Sequence, residues 1–93
     1  MLHTISTANQ STVNTQFISQ HDAVLFWQNG VIIALKNNPL LDDIIEKTAH
    51  CYIINNDIQA RGLLPFIDPR VKIINMQQTV ELTAINYPQM NWQ

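Results

Sequence analysis

Cys51-Tyr52-Ile53-Ile54-Asn55-Asn56-Asp57-Ile58-Gln59-Ala60-Arg61-Gly62 carries a strand, a polar elbow and a short helix without a break. Tyr52, Ile53 and Ile54 form a short apolar run rich in β-branched residues, the pattern of a strand buried on both faces. Asn55 or Asn56 offers a side-chain oxygen to the orphan N–H groups of the turn that follows, as a helix cap does. Asp57 falls in that first turn, where the helix dipole favours a negative charge. Gly62 supplies the left-handed residue that ends a helix. A buried strand running straight into a helix is half of a βαβ unit and calls for a parallel sheet.

The same alternation extends in both directions. Leu2 to Ile5 reads as a strand, Ser6 to Ser11 as a polar loop, and Thr12 to Gln20 as a weakly amphipathic helix with Val13, Phe17 and Ile18 on one side. Ala23 to Trp27 is a second buried strand. Gln28-Asn29-Gly30 then turns sharply into a short helix over Val31 to Leu35. Pro39 to Lys47 is the clearest amphipathic helix: Pro39 suits its first turn, Leu40, Leu41, Ile44 and Ile45 face inward, and Asp42, Asp43, Glu46 and Lys47 face water. Leu63 to Arg70 is a connection with two prolines, and Val71 to Ile74 is a fourth strand. Gln77 to Asn86 is a last helix with Val80, Ala84 and Tyr87 at helical spacing, and Pro88 ends it. Residues 89–93 are a tail with the option of a short edge strand. The pattern predicts a single three-layer α/β domain over residues 1–93, with a small, mainly parallel sheet of four to five strands.

Composition narrows the function. Charged residues are 13% of the chain, about half the ~25% of an ordinary domain, and amides replace them, with 10 Asn and 9 Gln. A charge-poor surface is weakly defended against association, which points to contact with other subunits. Net charge is −2, and Lys36, Lys47, Arg61, Arg70 and Lys72 are scattered, so there is no basic stripe to neutralise phosphates and no direct nucleic-acid binding is expected. No apolar run reaches the ~20 residues of a membrane span. Residues 6–16 are polar and give no signal-peptide core. One cysteine leaves no internal disulfide and fits a reducing cytoplasm.

Gly30 and Gly62 are the only glycines, too few for a dinucleotide loop or a P-loop, both of which bring several backbone N–H groups to phosphate. No cofactor is expected. His3, His21 and His50 have no metal-ligand spacing, and no second thiol is present, so no metal is expected either. His3 reads as a satisfied core or partner-facing histidine. Cys51 opens a buried strand at its amino end, whereas sites in open α/β sheets lie at the carboxyl ends. It therefore reads as a core thiol rather than a nucleophile. Asp57 and Arg61 are four apart and can pair on their helix. Trp27, Asn55, Asn56, Asp57 and Arg61 gather at the carboxyl ends of strands and are the candidate partner-facing residues.

Four stretches carry a family resemblance: Met1-Leu2-His3-Thr4, Val24-Leu25 through Gly30, Asn55-x-Asp57-x-x-Ala60-Arg61-Gly62, and Gln89-Met90-x-Trp92. In this order they resemble the TusB/DsrH family. The resemblance implies a DsrEFH-like fold and a cytoplasmic TusBCD-type hexamer with two copies of each subunit, so TusC- and TusD-like partners. Such a complex takes persulfide sulfur from TusA and passes it through TusE towards 2-thiolation of the tRNA wobble uridine. It carries its relay cysteine on the TusD-like subunit. DsrH-type relatives bear a cysteine in the first helix, but the matching place here, near Asn14, has none, and an amide cannot hold a persulfide. The chain is thus expected to be a non-catalytic structural or docking subunit. The alternatives are a sulfurtransferase that carries persulfide on Cys51, and a flavodoxin-like small-ligand module.

Overall fold

The computed structural model describes residues 1–9, 13–85 and 89–92. Among the described residues five strands and three α-helices alternate: β1 (Leu2–Ile5), β2 (Ala23–Phe26), α1 (Pro39–Lys47), β3 (Cys51–Ile54), α2 (Asn55–Arg61), β4 (Lys72–Ile74), α3 (Met76–Ile85) and β5 (Gln89–Trp92). The sheet order is β4-β3-β2-β1-β5 and every pair is parallel. The chain steps from β1 to β4 in one direction, then returns through α3 to the far edge. Right-handed crossovers place connections of opposite direction on opposite faces, which gives three layers.

The two faces are unequal. Ile5, Val24, Phe26, Cys51 and Ile53 pack with Val31, Ile33, Leu41, Ile44 and Ile58 in one large core. The other face holds Leu2, Ala23, Leu25, Ile54 and Ile74, with Trp27, Tyr52 and Leu82 packed against them. Alternate residues of each strand serve alternate faces, so a sheet covered on both sides needs apolar residues at nearly every position. The strands β1, β2 and β3 have this composition.

Local chemistry explains the helices. Asn38 accepts from the Leu40 N–H at 2.9 Å, Pro39 opens α1, and Leu41 and Ile44 are fully buried. Gly62 ends α2 at φ 64°. The N–H of Asn75 donates to Gln78 Oε1 at 2.9 Å and the N–H of Gln78 donates to Asn75 Oδ1 at 2.8 Å, a reciprocal cap that starts α3 at Met76.

Several details depart from the sequence reading. The helix expected over Thr12–Gln20 is a single 3-10 turn, Thr15–Phe17, among the described residues; Asn14 accepts from the Gln16 N–H and closes the turn early. Val13 and Ile18 are buried as expected, but Phe17 points outward. The short helix after β2 is also 3-10, over Gln28–Ile32. In α3 the cap sets a phase that turns Leu82 to the sheet with Thr79 and Thr83 half-buried, while Val80 and Ala84 are exposed. Tyr87 and Pro88 lie outside the described residues. Asn55 and Asn56 are the first residues of α2 rather than its cap, and Ile54 occupies the cap position with no side-chain bond.

The tail is a strand. β5 pairs with β1 in register from Leu2↔Gln89 to Ile5↔Trp92. Thr4 donates its hydroxyl to Asn91, the Ser6 N–H donates to the Trp92 carbonyl at 3.1 Å, and the Trp92 indole N–H donates to His3 Nδ1 at 3.2 Å. Among the described residues no helix is long and apolar enough to cross a membrane.

Candidate functional site

The carboxyl ends of β1, β2 and β3 meet at one bend. After Phe26 the chain turns through Trp27-Gln28-Asn29-Gly30, and the Trp27 N–H donates to the Ile5 carbonyl at 3.1 Å. A Cβ on Gly30 would lie 2.0 Å from that same carbonyl oxygen, so no side chain fits there. The close approach of β1 and the bend therefore requires glycine. Gln28 adopts φ 51°, a left-handed conformation that a non-glycine residue enters at a cost of about 1–3 kcal/mol.

Helix α2 offsets that strain. The Gln28 N–H donates to Asp57 Oδ2 at 2.8 Å, and Arg61 Nη2 donates to Asn29 Oδ1 at 2.8 Å. The two charged residues thus bond across the bend rather than to each other, contrary to the helix pair expected from their spacing. Asp57 sits in the first turn of α2 and Arg61 in the last, each at the end the helix dipole favours.

The five candidate residues separate into two groups. Asp57 and Arg61 brace the bend, with Arg61 and Asn56 exposed and Asn55 half-buried on the same helix. Trp27 points to the opposite face, packed with the small core beneath α3; its indole N–H is buried and has no partner among the described residues. There it borders a cavity of about 360 Å³ with Leu25, Ile54 and Met76.

Asp57 and Arg61 are both occupied in bracing, and the bend brings no thiol or imidazole to this end of the sheet. Cys51, the only cysteine, lies at the amino end of β3 and is 1% exposed. Its thiol donates to the Thr48 carbonyl at 3.5 Å. Burial pushes its pKa up to about 12, and the charge of Arg70 only partly opposes this. A persulfide carrier needs an accessible thiolate, and this environment disfavours both access and ionisation. Among the described residues no three His, Cys, Asp or Glu side chains come together as a metal site.

Sequence reasoning passed over one exposed patch. The stretch read only as a connection contains a 3-10 turn, Leu64–Phe66, directly after α2. Leu64 and Phe66 are 55% and 58% exposed. Two large apolar residues flanking a proline next to the braced helix were the available signal. Large apolar side chains grouped at the surface mark contact sites more often than isolated ones do.

Comparison with known proteins identifies the family. The family model described as DsrH like protein matches residues 6–89. Several relatives carry the name Protein TusB, and three of them illustrate the match. One, from Buchnera aphidicola subsp. Baizongia pistaciae, is 39% identical over 76% of this chain and 75% of its own length. Another, from Buchnera aphidicola subsp. Acyrthosiphon pisum, is 37% identical over 99% and 100%. The third, from Erwinia tasmaniensis, is 32% identical over 99% and 100%. The parallel sheet, the motifs along the chain and these matches, which cover most of its length, place the chain in the TusB/DsrH family.

Proposed function

We propose that this chain is a non-catalytic docking subunit of a cytoplasmic sulfur-relay complex of the TusBCD type. In this reading it assembles with TusC- and TusD-like subunits, two copies of each. The assembly receives persulfide sulfur from a TusA-like carrier and hands it to a TusE-like one, towards 2-thiouridine at the tRNA wobble position. The observation that carries the reading is the state of Cys51, buried and held neutral at the end of the sheet away from the braced bend. A chain of this family without an available thiol supports chemistry on a neighbour. The exposed turn Leu64–Phe66 and the α2 surface with Asn56 and Arg61 supply the docking face. Leu and Phe there gain by leaving water, at roughly 25 cal/mol per Å² buried.

Co-expression with TusC- and TusD-like chains, followed by the mass of the intact assembly, tests the proposal. The expected result is a hexamer containing two copies of this chain. A complex of the other two subunits that forms and transfers sulfur equally well without this chain contradicts it.

A further inference from the structure

His3 is fully buried in β1, and both of its ring nitrogens are engaged. On one side Nε2 lies 2.8 Å from Asp22 Oδ2. On the other the Trp92 indole N–H points at Nδ1 from 3.2 Å. An indole N–H only donates, so Nδ1 must be the acceptor and the proton must sit on Nε2, donated to Asp22. The neutral ring is thus held in one tautomer by a donor on one flank and a carboxylate on the other.

We propose that this Trp92–His3–Asp22 chain is a pH-sensitive fastening for the edge strand β5. Imidazole takes up its second proton at the free nitrogen, here Nδ1. Once it does, two N–H donors face each other and the bond from Trp92 is lost. The Asp22 side is unaffected, because the imidazolium still donates to the carboxylate. Acidification therefore loosens β5 from β1 and leaves β1 tied to β2.

The surroundings focus the effect on His3. Asp22 also accepts from the Ser19 N–H at 3.0 Å and from the Met1 amine at 3.3 Å, so its charge is already shared. Cys51 is the other titratable side chain from the neighbouring strands on this face, and it stays a neutral thiol. The turn Thr15–Phe17 contributes Phe17, which contacts Trp92 at 6.2 Å between ring centres, and β5 contributes no titratable side chain. The charged residues of α1 are exposed to water. The indole also stacks on the imidazole, with ring centres 6.2 Å apart. Losing the hydrogen bond therefore loosens a packed side chain as well as a strand.

Amide hydrogen exchange of the full chain at pH 7.5 and pH 5.5, corrected for intrinsic rates, tests the inference. His3→Gln serves as the non-titrating control, since its amide accepts from Trp92 and donates to Asp22 in the same directions. In the wild type, protection of the β5 amides and of the Ser6 N–H should fall at least tenfold at the lower pH, while β2 protection holds. In His3→Gln, β5 should stay protected at both values. Trp92→Phe, which deletes the donor, should show weakened β5 protection already at pH 7.5 and no further fall. A pH-independent β5 in the wild type, or an equal fall in either variant, overturns the proposal.

Discussion

Gly30 is the position where a single methyl decides the structure. Its Cβ would meet the backbone oxygen of Ile5 at 2.0 Å, and a strand in the middle of a parallel sheet has little freedom to retreat. Gly30→Ala should cost at least about 3 kcal/mol, at the upper end of single-substitution effects. Chemical denaturation checks this, and a loss under about 1 kcal/mol would contradict the close approach. Carboxylates give a second test at this scale. Burial pushes the Asp22 pKa up, but hydrogen bonds from His3, the Ser19 N–H and the Met1 amine outweigh it and bring it to about 2, against an ordinary 3.8. The hydrogen bonds from Arg70 hold Asp68 low as well. A carboxyl group with a depressed folded pKa stabilises above its unfolded pKa and loses that contribution as pH falls through the folded one. Stability should therefore decline as pH drops from about 4 towards about 2, and Asp22→Asn should flatten this part of the profile. An unchanged profile in that variant would count against the His3–Asp22 contact.

Among the elements, α2 decides how the carboxyl end is built. Asp57→Ala removes the acceptor for the Gln28 N–H and leaves a left-handed residue without support. The expected loss is about 1–3 kcal/mol, the usual range when a charged hydrogen-bond partner is removed. Arg61→Ala should cost less, since the guanidinium is exposed and bonds a surface amide. A double-mutant cycle between Asp57 and Arg61 should give near-additive losses, because the two hold separate points of the bend. Strong coupling would restore the direct pair that their spacing suggested.

Much of this level was legible in the chain. The β-branched run Tyr52–Ile54, the Pro39 start and Gly62 each act through neighbours a few residues away, and sequence displays such neighbours. The partners of Asp57 and Arg61 lie 29 and 32 residues distant, and spacing within one helix could not reveal them. The spacing of Val80 and Ala84 did not reveal the inward face of α3 for a related reason. Val80 and Ala84 look more apolar than Thr79 and Thr83, but the Asn75–Gln78 cap sets where the helix points. The partner of Trp92 was not legible either, because its bond to His3 spans 89 positions.

At the scale of the whole molecule, association follows from the distribution of apolar surface. The chain has few charges, and Phe17, Leu64, Phe66, Met76 and Val80 are all more than half exposed. The isolated chain should self-associate or dissolve poorly, and size-exclusion chromatography reads this directly. Leu64→Asp with Phe66→Asp should improve the behaviour of the isolated chain with little change in stability, since both side chains are largely in water, and should weaken assembly with the partner subunits. Undiminished assembly would move the docking face elsewhere.

Whether Cys51 ever carries sulfur is decided by persulfide trapping on the reconstituted complex during turnover, followed by mass analysis of each chain. Added sulfur should appear on a partner subunit and none on Cys51, with transfer by a Cys51→Ser complex within about twofold of wild type, a change of less than about 0.5 kcal/mol in barrier. A persulfide trapped on Cys51, with transfer lost by orders of magnitude in that variant, would contradict it.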